Sequence, residues 1–139
     1  MQSITTRWGE VEIKPENIVN FPQGLPAFTH ARQFIILQPE NPVSVLQCIE
    51  DTSLSFPVIN PYTVVADYQL DVPEEDLVEL EVADVNKVLV YVLLVIAHTA
   101  ENTTVNLLAP VVINAEKMLA KQIIMTGDLY RTEYRLFAR

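Results

Sequence analysis

The chain has 139 residues, half of them hydrophobic, and a formal net charge of −9. That length and apolar content suit one compact domain with its own core and exclude a disordered chain. The negative balance disfavours direct binding to a phosphate backbone, and a single cysteine, Cys48, excludes an internal disulfide and any multi-cysteine metal site.

In chain order, Ile4-Thr5-Thr6 and Val11-Glu12-Ile13 flank Trp8-Gly9 and predict an opening hairpin with Glu10 and Glu12 on its wet face. Lys14-Pro15-Glu16-Asn17 turns the chain. Phe21 to Phe28 holds two prolines and a glycine, so it reads as an ordered loop pinned to the core by its two phenylalanines. Ala31 to Phe34 reads as a short helical turn. Strands follow at Phe34–Leu37, Val45–Ile49 and Leu54–Ile59, with turns at Gln38–Pro42 and Glu50–Thr52. Tyr62 to Leu70 reads as irregular and aromatic.

Pro73 to Leu80 predicts a short helix, with Glu74, Glu75 and Asp76 at the positive end of its dipole and Leu77 and Leu80 on one face. Val88 to Ala97 is rich in β-branched residues and reads as a long buried strand. Thr103 to Leu108 would pair with it across a turn at His98–Asn102.

Residues 106–114 read Asn-Leu-Leu-Ala-Pro-Val-Val-Ile-Asn. Pro110 removes a backbone donor, so this apolar run cannot be a central strand throughout; a bulge, corner or edge at Ala109-Pro110 is expected. The asparagines at its ends can bond local backbone. Val111–Ile113 and Gln122–Met125 read as the last strands, joined by Ala115–Ala120. Tyr130, Tyr134 and Phe137 are spaced for one face of an amphipathic tail helix. Many short strands at roughly 8–12-residue spacing predict a mainly β protein: a small antiparallel, flattened β-barrel-like domain with one or two short helices. It is expected to span residues 1–139, with a tail from about 127.

Few residues point to catalysis. Three isolated glycines form no phosphate-cradling motif, and no nucleophile elbow occurs. His30 and His98 are too few for most zinc sites; an acid–base role for His98 in a barrel mouth stands as the enzymatic alternative. Cys48 reads as a small buried hydrophobe. No secretory leader follows Met1, and the longest apolar run, Val88–Ala97, falls short of the about 20 residues of a membrane helix. A soluble, cytoplasmic protein is expected, with no membrane and no nucleic acid as direct partner.

Charge is unevenly spread. Residues 1–116 carry −12 and residues 117–139 carry +3. Eight acids lie between Asp67 and Asp84 without one basic residue among them. They read either as a docking patch for a basic partner or as the solvated face of a helix and its flanks.

Several blocks together resemble the FliW family of flagellar assembly factors. They are Thr6-Arg7-Trp8-Gly9-Glu10-Val11, Phe21-Pro22-Gln23-Gly24-Leu25-Pro26-Ala27-Phe28, Asp67-Tyr68, the Asn106–Asn114 run and Lys121-Gln122-Ile123. Trp8 stands where the family usually has Phe, and Ala27 where it usually has Gly; a positive φ there would strain alanine. The last dozen residues match no strong pattern.

The resemblance implies a non-enzymatic regulator, without cofactor or metal, whose partners are flagellin and CsrA, a small RNA-binding repressor of flagellin translation. Binding CsrA away from its RNA surface would relieve repression, and free flagellin would reverse this by taking the protein away. A flagellin chaperone without CsrA antagonism is the alternative. Expected partner contacts, as exposed residues near the shared motifs, are Asn60, Pro61, Asp67, Tyr68, Asn106, Asn114 and Gln122.

Overall fold

Gln2–Thr6 (β1) and Gly9–Ile13 (β2), the second alternating polar and apolar residues, build the expected hairpin, with Glu10 and Glu12 in solvent. The computed structural model describes residues 2–136. The hairpin forms its own two-stranded sheet. A short 3-10 turn at Pro15–Asn17 leads to β3 (Val19–Asn20), followed by β4 (Gln33–Glu40), β5 (Val43–Cys48) and β6 (Ser55–Ile59). Two short helices, α1 (Pro61–Val64) and α2 (Glu74–Glu79), come next. The chain returns through β7 (Val88–Val95), β8 (Thr104–Val105), β9 (Val111–Asn114), β10 (Leu119–Gln122) and β11 (Tyr134–Arg135).

Strands pair in the order β7-β6-β5-β4-β3-β10-β9, and β9 pairs back onto β7, so the sheet closes into a barrel-like ring. Each seam is antiparallel except β3–β10, which is parallel and holds the single register pair Leu119 with Asn20. The amide of Asn20 also donates to the carbonyl of Met118 at 2.8 Å. Closure removes most of the free strand edge that an open sheet would present. β7 is the branching strand: Val88–Tyr91 pair with β9, Val92 and Leu93 with β6, and Leu94 and Val95 with β8. β11 pairs with β8 and lies beyond the ring.

The core lies inside this ring. Phe21, Phe34, Leu46, Val58, Val111 and Ile113 are fully enclosed, and Phe21 meets Phe34 edge-on at 5.1 Å. Fully burying such a side chain stabilises by about 1.5–3 kcal/mol. Phe28 packs half-buried against Phe56 at 5.3 Å, so both loop phenylalanines are pinned as expected. A second cluster around Tyr68, Val92, Val105 and Leu107 fills the β8 end, and a third seats α2 through Leu80 against Val112 and Ile123.

Several expectations need correction. Ala31–Phe34 is not helical: Gln33 and Phe34 enter β4 because they pair with Asn20 and Val19, and the Glu50 carboxylate accepts from the amides of Arg32 and Gln33. β4 continues through Pro39, with the register shifting between Leu37 and Glu40 so that the proline needs no ladder bond. Residues from Pro61 form α1, seeded by the Asn60 side chain, which accepts from the Tyr62 amide at 2.9 Å. β7 ends at Val95 and is only partly buried, since Leu89 and Val95 face outward. The last ring strand falls on Leu119–Gln122, because Ala120, not the Ile123–Met125 run, lies opposite Ile113. Tyr134 and Arg135 add a strand to β8 where a tail helix was expected; Phe137 lies outside the described residues.

Candidate partner-binding surface

The Asn106–Asn114 run folds into a corner between β8 and β9. The Asn106 side chain accepts from the amides of Leu108 and Ala109 at 3.2 and 3.1 Å, which turns the backbone out of the β8 direction. The next four carbonyls are each taken up from elsewhere. Leu107 accepts from the Tyr68 hydroxyl at 2.7 Å, Leu108 from the Met125 amide at 2.9 Å, Ala109 from the Gln122 side chain at 3.0 Å and Pro110 from the Ile123 amide at 2.9 Å. A turn this deep needs such partners, since an orphaned buried carbonyl costs free energy comparable to a lost hydrogen bond.

At the far end of the run Asn114, 2% exposed, has both halves of its amide engaged. Its nitrogen donates to the carbonyls of Leu80 and Glu81 at 2.8 and 3.0 Å, tying the end of α2 to the ring. Its oxygen accepts from the amides of Glu116 and Lys117 at 2.9 and 3.3 Å, shaping the β9–β10 turn.

The seven expected contact residues therefore divide. Asn60 and Asp67 are exposed; Asn106 and Gln122 are half-buried with side chains committed to the corner. Pro61, Tyr68 and Asn114 are buried, which corrects their expected exposure. Tyr68 sits under the corner, edge-on to Tyr62 at 5.6 Å and tilted against Tyr130 at 4.7 Å. Burial raises its phenol pKa well above the ordinary value, with Tyr130 and Tyr62 adding smaller contributions.

The acidic segment forms an outward-facing surface. Asp67, Asp71, Glu74, Glu75, Glu81 and Asp84 are exposed. Among the described residues the only ion pairs join Lys121 to Asp76 at 2.6 Å and to Glu79 at 3.3 Å. The Asp76 hydrogen bond, above all, raises the Lys121 pKa against the opposing effect of burial. Lys121 thus neutralises part of this face from 45 residues away, a pairing that no local spacing announces. Glu79 also accepts from Gln23 at 2.8 Å, which docks the Phe21–Phe28 loop onto α2.

That loop is tightly wound. Gly24 has φ +69, and a Cβ there would lie 2.6 Å from the Thr29 carbonyl oxygen, so no larger residue fits. Ala27 has φ 70, the strained conformation anticipated for an alanine at this position.

Sequence reasoning missed the exposed apolar side chains. Trp8, Val95 and Ile96 are 42%, 67% and 64% exposed. Trp8 and Ile96 border a groove of about 410 Å³ with Pro39, Val43 and Pro57, and the Arg7 guanidinium lies 5.1 Å from the Trp8 ring. The signal was Pro57: it has no amide hydrogen to give a ladder, and the pairing of β6 with β7 begins only after it, at Val58. His30 and His98 stand exposed in loops, and no group of three or more His, Cys, Asp or Glu among the described residues could hold a metal. No helix of the described residues is long and apolar enough to cross a membrane.

A closed β ring with shallow surface grooves, an acidic face and an internally satisfied polar corner defines a small, mainly β scaffold protein. The chain matches the family model described as FliW protein over residues 2–136, and it belongs to the FliW family. It is 38% identical over 99% of its length, and 96% of the relative's, to the flagellar assembly factor FliW of Geobacillus thermodenitrificans. It is 40% identical to the flagellar assembly factor FliW of Thermosipho africanus, covering 94% of this chain and 92% of that one. A crystal structure of the flagellar assembly factor FliW superposes with a TM-score of 0.94 at 38% identity, covering 99% of both chains.

Proposed function

We propose that this chain is a cytoplasmic flagellar assembly factor that binds flagellin and antagonises the translational repressor CsrA, so that the supply of flagellin sets its own translation. The observation that carries this reading is the likeness, over 99% of both chains, to a solved flagellar assembly factor. The architecture is compatible with it: the scaffold offers an exposed acidic face and an apolar groove beside Trp8, suited to occupying other macromolecules. Asn60 and Asp67, both exposed, are the sequence-derived residues best placed to touch a partner. Regulation requires that flagellin and CsrA exclude one another or be negatively coupled through this chain.

The experiment is titration of labelled flagellin into the protein, followed by challenge with CsrA. Saturable flagellin binding that CsrA weakens is the expected result. Flagellin binding indifferent to CsrA would reduce the function to that of a flagellin chaperone, and absence of flagellin binding would overturn the proposal.

A further inference from the structure

The charge of the chain reverses towards its C-terminal end, and the structure gives that reversal a shape. Of the cations there, Lys121 is taken up by Asp76 and Glu79. Arg131 and Arg135 are exposed, and among the described residues neither has a carboxylate in ion-pair range. Both arginines line two neighbouring hollows. One is a groove of about 490 Å³ walled by Val65, Leu129, Tyr130 and Tyr134. The other is polar, about 520 Å³, with Asn102, Thr104 and Thr132. Glu133 is the one acid in either.

The floor of the first groove, which mixes apolar and charged side chains, is fixed. Tyr130 packs at a tilt against Tyr68, and its hydroxyl accepts from the Gln69 amide at 2.6 Å; Tyr134 is paired with Val105 in the sheet. Leu129, by contrast, is 64% exposed.

We propose that this groove docks an acidic amphipathic helix of a partner protein, its apolar stripe against Leu129, Tyr130 and Tyr134 and its carboxylates on Arg131 and Arg135. Charge selects the occupant: this is the positive end of a chain that is otherwise strongly negative, and paired arginines favour carboxylates in forked geometry. Shape selects a helix, because β11 offers only two residues of strand edge, too short to template an added strand. A nucleic acid is the poorer fit, since a long polyanion would have to pass Glu133 and the acidic body. The proposal does not rest on the flagellin and CsrA reading, and its test uses neither protein.

The test uses a fluorescein-labelled helical peptide of about five turns, built from Leu, Ala and Glu with the glutamates flanking the leucine stripe. Its partner carries Lys in place of Glu. Anisotropy with the full chain should show saturable binding of the acidic peptide, about ten-fold or more tighter than the basic one. In the double variant Arg131→Glu/Arg135→Glu the preference should reverse; both positions are exposed, and an unchanged circular dichroism spectrum and melting temperature verify the fold. Leu129→Ala should weaken both peptides. Equal binding of the two peptides, or a preference that survives charge reversal, would overturn the proposal. So would tighter, arginine-dependent binding of a short single-stranded RNA, which would mark a general polyanion site.

Discussion

The hydroxyl of Tyr68 donates to the carbonyl of Leu107 at 2.7 Å across 39 residues of sequence. It links the segment after α1 to the corner that redirects the chain from β8 to β9, in an environment where water cannot substitute. Tyr68→Phe keeps the ring packing against Tyr62 and Tyr130 and orphans the carbonyl. The expected loss is about 1–3 kcal/mol of stability, read from a lower urea midpoint. The pH dependence follows from the same burial. The folded phenol pKa lies above its ordinary value of 10.0, so this contribution is complete below pH 10.0 and is lost progressively as pH rises beyond it. An alkaline unfolding series should show this limb in the parent chain and a shallower one in Tyr68→Phe, where the raised phenol of Tyr91 still contributes.

Asn114 joins α2, β9 and the following turn through one amide. Replacement by Ala leaves the Leu80 and Glu81 carbonyls and the Glu116 and Lys117 amides without partners, and should lower stability by about 2–4 kcal/mol. Asn114→Asp retains the acceptor towards Glu116 and Lys117 but sets a carboxylate against two carbonyls. It should be destabilised as well, and more so at neutral pH than at pH 4. Thermal unfolding at the two pH values separates these effects.

Ala27 holds φ 70 in the loop that α2 clasps through Gln23 and Glu79. Glycine relieves the Cβ clash at that dihedral, partly offset by its greater freedom in the unfolded chain. Ala27→Gly should therefore raise stability by about 0.5–1 kcal/mol, with the native circular dichroism spectrum unchanged.

Cys48 is fully buried, its sulfur 3.6 Å from the Glu50 carboxylate, and burial raises its thiol pKa above 9.0. It should be inert to an aromatic disulfide reagent in the native protein at pH 8 and react at once in denaturant. Rapid native labelling would show that the β5–β6 turn opens locally.

The parts of the fold that were legible in the sequence rest on short-range rules. The Trp8-Gly9 hairpin, the acids opening α2 and the corner at Pro110 each follow from a few neighbouring residues. Ala27 was legible in a further sense, since its departure from the family's glycine pointed to the strained φ. Long-range pairing decided the rest. Gln33 and Phe34 suit a helical turn by themselves and become strand because Val19 and Asn20 lie beside them. Tyr134 and Arg135 likewise take their form from β8. On the candidate surface, Asn114 and Tyr68 were read as exposed contacts and are buried, because the bonds that hold them inside come from residues more than thirty positions away. The groove beside Trp8 escaped notice because its walls come from five separate segments of the chain.

The seam between β3 and β10 joins residues from opposite ends of the described chain through a single register pair. Bringing such distant segments together loses chain entropy early and returns contacts late, so circularisation of the sheet is expected to close the folding sequence. A precursor with this seam still open would expose two unpaired strand edges, and is expected to be the species most prone to coalesce with its own kind. Yield on overproduction should consequently track the rate of that last step, rising at lower temperature and lower synthesis rate, whatever the equilibrium stability of the finished molecule.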